Sequence, residues 1–401
     1  MALGRPASMT QLRVLHVIPS VSPRDGGPSY AIVMMERALS ALGVAVTTLS
    51  TDHGLTRPGP PLTDNSAPFR NARRIYARKW TNAYKFAPGL VPIIFRSVSD
   101  YHVVHIHALF TFASTIAAWA ARVRGVPYVV RPLGTLSDYG MHARRRLLKR
   151  LSVALIEKAI LRNAAVVHFT SDVERREAEE LGLTFRGVVV PLGVEAPAIV
   201  LQHPALVHLQ HCNRRLVLFL SRLDPKKNIE ALIDAFAFSP MLRAGSALLI
   251  AGSGSSSYVD ELKARSKDRG IADLVVWLGH VEGDAKAAAL HAADVFVLPS
   301  FSENFGIAAA EALFAGLPCV LAEGVAIAED VARAGAGIVV LPKAAEVAQA
   351  LESLLDDEAK RRSMANRARI FAEDTYSSRV MGQRLIEIYQ NVRTPRRTTA
   401  D

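Results

Sequence analysis

Two glutamates, Glu303 and Glu311, stand in the stretch "FSENFGIAAAEALFAGLPCV" (residues 301–320), otherwise built of small and apolar residues. An apolar run before it reads as a strand, and a helix is expected to start near Gly306. Glu303 then falls in the loop, where a carboxylate can accept from sugar hydroxyls. Glu311 falls inside the helix, where it can accept from a ribose. The backbone N–H groups of Asn304, Phe305, Gly306 and Ile307, at the helix start, are donors for hydroxyl or phosphate oxygens. The helix dipole alone accounts for an acid at Glu303. It does not account for Glu311, whose neighbours Ala309, Ala310, Ala312 and Leu313 are apolar on both sides.

A second set of groups suits a diphosphate. "SRLDPKKNIE" (221–230) follows an apolar run and opens a helix, with Asn228 as its expected cap. Arg222 offers a planar fork and Lys227 a point charge beside that helix start; Lys226 is the bystander, and a solvated basic turn is the plain alternative. "SPRDGGPSY" (22–30) places Gly26 and Gly27 in the loop after the first strand, ahead of a helix capped by Ser29. Without Cβ atoms that loop can approach a ligand closely. It does not match G-x-G-x-x-G, which weakens a dinucleotide reading. In "HIHALF" (105–110), His105 and His107 share one strand face. No third ligand stands at a standard spacing for zinc. His107, at the strand end, is the polar contact expected, and His105 reads as a core histidine. No Asp-x-Asp occurs, so no evident motif holds a metal on a diphosphate, and no G-x-S-x-G, P-loop lysine or Cys-x-x-Cys is present.

These groups need a scaffold that gathers strand ends. Strands are expected at 12–18, 44–51, 101–107, 127–133, 164–171 and 187–193, alternating with amphipathic helices. A second series follows at 215–221, 246–254, 274–280, 293–300, 319–323 and 337–341. Apolar strands alternating with helices specify a parallel sheet covered on both faces. The fold class is therefore α/β, with two doubly wound, Rossmann-like domains facing across a cleft. The domains expected are 1–196, 197–376, and a terminal helix with its tail, 377–401, returning to the first. Residues 195–213, with Pro197 and Pro204, break the rhythm as a linker. Ligands of such sheets lie at the carboxyl ends of the strands.

The chain's 401 residues exceed one ordinary core. Half of them are hydrophobic and 21% are charged, which excludes a disordered chain. Two cysteines exclude a disulfide scaffold and suit a reducing cytoplasm. No signal peptide and no apolar run of about 18 residues is seen, so a cytoplasmic protein is expected, free or on the inner membrane face. Residues 1–200 hold 25 Lys+Arg and 13 Asp+Glu, 25 − 13 = +12, while the rest holds 23 and 24, or −1. A basic half suits an anionic partner or is simply a solvated face. Within it, 141–163 sets Arg144, Arg145, Arg146, Lys149 and Arg150 on a helix with Leu147, Leu148, Leu151 and Leu155. That pattern suits an anionic membrane surface or a diphosphate-lipid acceptor, or a helix packed on the sheet. Interleaved aromatics are lacking, which argues against nucleic acid.

At these residues the sequence resembles the family-4 (group 1) retaining glycosyltransferases of GT-B architecture, over roughly 12–392. "FSENFGIAAAEALFAGLPCV" matches the family's E-x7-E signature and the run after it, "SRLDPKKN" its diphosphate segment, "GGPS" its first-loop glycines and "HIHALF" its histidine strand. The resemblance implies that Glu303 contacts the donor sugar and Glu311 the ribose. Arg222 and Lys227 would hold the diphosphate, Gly26 and Gly27 would approach it, His107 would reach the sugar, and Gly279 and His280 of "LGHVE" would meet the base. It implies a metal-independent hexosyl transfer, without cofactor, from a UDP- or GDP-sugar to a saccharide or lipid-linked acceptor in surface polysaccharide or glycolipid assembly. The chain departs from the family in Asn304, where glycine is frequent, and in Leu192 of "PLGVE", where asparagine is usual. A sugar-nucleotide epimerase or phosphorylase on the same scaffold, and a non-catalytic nucleotide-sugar-binding protein, are the alternatives. No motif for a pyridoxal lysine stands out, and the intact Glu303, Glu311, Arg222 and Lys227 weigh against the last.

Overall fold

The computed structural model describes residues 11–55, 69–136, 152–200 and 214–393. These form two compact units, one of residues 1–193 with 378–401 and the other Val194–Ser377. The basic cluster Arg144, Arg145, Arg146, Lys149 and Arg150, with Leu147, Leu148 and Leu151, lies outside the described residues, as does 201–213 of the expected linker. Leu155, expected on the apolar face, is exposed. Among the described residues no helix is long and apolar enough to cross a membrane.

The first unit is a seven-stranded sheet in the order β3-β2-β1-β4-β5-β6-β7, and every pairing is parallel. Its strands are β1 (Arg13–Val17), β2 (Ala45–Thr51), β3 (Ala72–Ala77), β4 (Val103–His107), β5 (Tyr128–Arg131), β6 (Val166–Phe169) and β7 (Gly187–Val189). The chain order reverses between β1 and β4, so the crevice at their carboxyl ends is the switch point. β1 and β4 carry buried Val and Leu on both faces because helices cover both. The terminal helix Ser378–Arg393 belongs to this unit. Its Tyr389 hydroxyl is 2.7 Å from His105 Nδ1, and Met381 Sδ accepts from the Gly193 amide.

β3 is absent from the strands expected above. "ARRIYA" carries Arg73 and Arg74 and reads as polar, yet it pairs with β2 over six residues as the edge of the sheet. Arginines suit an edge, where one side of the strand has no partner.

The second unit is a six-stranded parallel sheet in the order β10-β9-β8-β11-β12-β13. Its strands are β8 (Arg215–Leu220), β9 (Ser246–Ala251), β10 (Val275–Gly279), β11 (Val295–Leu298), β12 (Cys319–Ala322) and β13 (Gly337–Val340). The order reverses between β8 and β11, whose register sets Val217 beside Val295. The loops that leave β8 and β11 therefore emerge side by side, and they carry Arg222, Lys227 and Glu303.

Candidate active site

The loop after β8 closes in a 3-10 turn, Pro225–Lys227, which the Asp224 carboxylate caps through the Lys226 amide. Asn228 follows at φ 56° and precedes the helix Ile229–Phe238. Its side chain does not cap that helix, contrary to expectation. Its amide donates instead to the carbonyls of Pro299 at 3.2 Å and Pro342 at 3.0 Å. One buried side chain thus ties together the loops leaving β8, β11 and β13. The Phe301 amide, donating to the Lys226 carbonyl at 3.0 Å, is a second tie.

Those ties place Lys227 against Glu303. The Lys227 ammonium donates to Glu303 Oε1, and the Ser300 hydroxyl donates to the same oxygen at 3.3 Å. Lys227 and Ser300 are buried, and Glu303 is half-buried. The Glu303 backbone is clamped by the segment 324–326. Its amide donates to the Gly324 carbonyl at 2.8 Å, and its carbonyl accepts from Ala326 at 3.1 Å. A Cβ at position 324 would overlap the Phe301 carbonyl oxygen, so the clamp requires glycine there. Arg222 is exposed at the same strand ends.

The helix Ile307–Phe314 starts after Gly306, which has φ 95° and no side chain to fill the first turn. The unpaired helix-start amides are therefore those from Gly306 onward. Asn304 and Phe305 lie ahead of the helix, and Phe305 packs its buried ring edge-on to Tyr376 at 5.4 Å. Glu311 is buried within the helix. The Lys286 ammonium, from the helix Gly283–Ala292, donates to Glu311 Oε1 at 2.7 Å. Lys286 sits in "GDAKAAALHA" with no motif around it, and only the fold brings it to Glu311. Gly279 ends β10 at φ 65°, and its carbonyl accepts from Gly252 at 2.6 Å. The His280 side chain is exposed.

In the first unit the helix after β1 runs Gly27–Ala41 and is capped by Gly26 at φ 68°. It starts earlier than expected, because Pro28 fits the first turn while the Ser29 hydroxyl turns back to the Ser22 carbonyl at 2.6 Å. Apart from its chain neighbours, no atom of the described residues lies within 4 Å of where a Cβ of Gly26 would sit. The space is open rather than occupied by the fold.

His105 and His107 do share a face, and β1 adds His16 beside them. Ring nitrogens of the three lie within 4.8 Å of one another, and all three side chains are fully buried. His16 Nδ1 is 2.9 Å from His107 Nε2, and His168 Nδ1 is 3.3 Å from His105 Nε2. Burial, then the nearby Arg131 guanidinium, pushes the His16 ring down to about 3. The same two causes lead at His168, also at about 3. Burial first, and then neighbouring rings and Arg131, hold His105 and His107 well below the ordinary histidine value. Arg131 is itself fully buried, which lowers it to about 10. A second cation among these rings would meet that guanidinium, so the electrostatics favour a neutral hydrogen-bonded network over a metal cluster. His107, at the end of β4, is buried in the core, and its Nδ1 has no hydrogen-bond partner among the described residues.

Both halves of the chain match family models. Residues 208–371 match "Glycosyl transferases group 1" and residues 26–193 match "Glycosyl transferase 4-like domain". A phosphatidyl-myo-inositol mannosyltransferase of Mycobacterium leprae is 31% identical over 301 residues, covering 74% of this chain and 75% of that protein. An uncharacterized glycosyltransferase of Methanocaldococcus jannaschii is 33% identical over 179 residues, and the match spans 45% of its length. Among solved structures, a sucrose-phosphate synthase from Thermosynechococcus elongatus superposes with a TM-score of 0.77 at 20% identity, covering 95% of this chain and 99% of that one. The Anabaena HepE protein in complex with UDP and glucose superposes at 0.74 and 20% identity, covering 95% and 100%. Two doubly wound parallel sheets, superposing on these neighbours, define a GT-B fold. The chain belongs to the group 1 glycosyltransferase family.

Proposed function

We propose that the protein transfers a hexose, with retention of configuration, from a UDP- or GDP-sugar to a saccharide or lipid-linked acceptor in surface polysaccharide or glycolipid assembly. The observation that carries this reading is the Lys227–Glu303 pair at the β8/β11 switch point. In a nucleotide sugar the β-phosphate is bonded directly to the sugar's anomeric carbon. Groups that read the two must therefore lie one contact apart, as this ammonium and this carboxylate do. Lys227 and Arg222 hold the diphosphate, Glu303 accepts from sugar hydroxyls, and Glu311, oriented by Lys286, accepts from the ribose. The amides from Gly306 and Ile307 face the charged part of the donor. Gly279 and His280 take the base, Gly26 and Gly27 the diphosphate, and His107 the sugar through its unpaired Nδ1, once the groups now covering it move aside. The mannosyltransferase and the UDP- and glucose-bound neighbour support a nucleotide-sugar donor.

In the reaction the bond between the anomeric carbon and the β-phosphate oxygen breaks. The acceptor oxygen attacks from the same face, and its proton passes to the departing phosphate. Negative charge grows on that phosphate, where Lys227, Arg222 and the helix-start amides stabilise it electrostatically. These cations take the part a divalent ion would otherwise play, so turnover is expected to survive excess chelator. The test is a screen of UDP- and GDP-sugars by thermal shift, followed by assay of the donor that binds. A ligand at about 100 times its Kd stabilises by about 2.7 kcal/mol. Product anomeric configuration, read by NMR, must match the donor's. An inverted product, or activity abolished by chelator and restored by Mg²⁺, would overturn the mechanism.

A further inference from the structure

At the amino ends of β1, β2 and β3 the first unit has a cavity of about 330 Å³. This is the end of the sheet opposite the Gly26 loop, and the seven residues of β2 separate the two ends by about 20 Å. The floor is apolar and buried, with Val46 and Phe69. Three arginines line the cavity, Arg13, Arg70 and Arg73. Arg73 is held in place by neutral partners: its Nε donates to the Thr47 hydroxyl at 2.9 Å and its Nη2 to the Tyr101 hydroxyl at 3.1 Å. Its sequence neighbour Arg74 is bonded through two nitrogens to the buried Glu36, at 2.9 and 2.5 Å. The fold thus supplies a carboxylate to Arg74, and among the described residues none of the three cavity arginines forms an ion pair. Three guanidinium groups around one cavity, one of them pre-oriented, form a fork-shaped donor set without an acceptor.

We propose that this cavity is a second anion site, which binds the phosphate group of a small phosphorylated molecule while the apolar floor takes its organic part. A soluble phosphate ester and a phospholipid headgroup share that chemistry. The proposal does not rest on the donor reading, since no residue is common to the two sites.

The experiment uses two probes, glycerol 3-phosphate by titration calorimetry and phosphatidylglycerol-containing phosphatidylcholine vesicles by flotation. Four forms of the full chain are compared: wild type, Arg13→Gln/Arg70→Gln, Lys227→Ala, and Lys360→Gln/Arg362→Gln as a charge-matched control in the second unit. Arg13 and Arg70 are exposed, and among the described residues neither side chain makes a hydrogen bond or ion pair, so the double variant should melt like wild type; Arg70→Gln alone serves if it does not. The expected result is binding of at least one probe that weakens about tenfold in the arginine variant and persists in the other two. Binding of glycerol 3-phosphate identifies a soluble ligand, and binding of vesicles alone identifies a headgroup. Binding by neither probe, binding indifferent to Arg13 and Arg70, or an equal loss in the charge-matched control would overturn the proposal. Loss of glycerol 3-phosphate only in Lys227→Ala would mean that the donor site is where phosphate goes.

Discussion

The ammonium of Lys286 donates to Oε1 of Glu311 at 2.7 Å, joining two helices that flank β11. The buried Glu311 side chain thereby has a cation on one of its oxygens. A charged group buried without such a partner pays a desolvation cost that nothing offsets.

Lys286→Ala leaves Glu311 buried without its cation. Loss of one partner of a buried charge-assisted bond costs about 1–3 kcal/mol. Nucleotide affinity should fall with it, although Lys286 is not assigned a contact with the donor. In a double-mutant cycle with Glu311→Ala, the combined loss of affinity should be smaller than the sum of the two single losses. Strict additivity would show that Lys286 acts independently of Glu311.

Glu303 and Lys227 are bonded to each other in the free protein, so each variant releases its partner. Lys227→Ala should weaken nucleotide diphosphate binding and also lower turnover. Removing a charge stabiliser from a reacting centre costs roughly 10²–10³ in kcat. Glu303→Ala should retain the nucleotide diphosphate while cutting transfer, because its assigned contact is the sugar. Normal binding and turnover of donor by both variants would remove this pair from the site.

Gly324→Ala tests the clamp rather than the contacts. The new methyl group meets the backbone carbonyl of Phe301, which cannot rotate away as a side chain would. The loop must shift, and with it the two backbone bonds that hold Glu303. Overpacking of this kind costs about 1–3 kcal/mol. Turnover should fall by more than tenfold with nucleotide affinity less affected. Unchanged turnover would show that the position of Glu303 does not depend on residues 324–326.

Most of the scaffold was legible in the sequence because buried parallel strands are largely apolar, and among the described residues every strand but β3 falls within a stretch expected above. β3 was not, since its arginines mask a strand that sits at the edge. Glu303, Glu311 and Lys227 stood out by type and context. Their partners did not: Lys286 and Ser300 are ordinary residues until the order of β10, β8 and β11 is known. His16 was hidden for a related reason. One histidine in an apolar strand signals nothing, and its meeting with His107 depends on which strand lies beside β1 and in which register. Ser29 is not the cap expected, and Asn228 stands at the cap position without a side-chain bond to the helix, because both side chains found carbonyls elsewhere, which local pattern does not reveal.

The buried histidines give the first unit a pH dependence whose sign follows from their pKa values. His16 and His168 titrate at about 3 in the folded chain, and His105 and His107 are also well below the ordinary value of 6.5. Unfolding restores that value, so between pH 6.5 and about 3 the unfolded chain binds more protons. Stability is then fully present above pH 6.5 and falls as pH is lowered through this window. Each histidine contributes a loss on the order of 1 kcal/mol between pH 7.5 and 5.5, and the four together several times that. Glu157 in the same unit, raised by burial, acts with the opposite sign, since the folded chain then binds its proton more readily than the unfolded one. Hydrogen exchange of β1 and β4 amides, corrected for intrinsic rates, reports this unit separately from the second. Protection there should drop steeply from pH 7.5 to 5.5. His168→Gln, which can still donate to the Val190 carbonyl, should lower the drop by about the contribution of one histidine. Protection in β4 that stays level across this interval would mean that the rings are already charged in the folded chain, and that Arg131 does not face them as a cation.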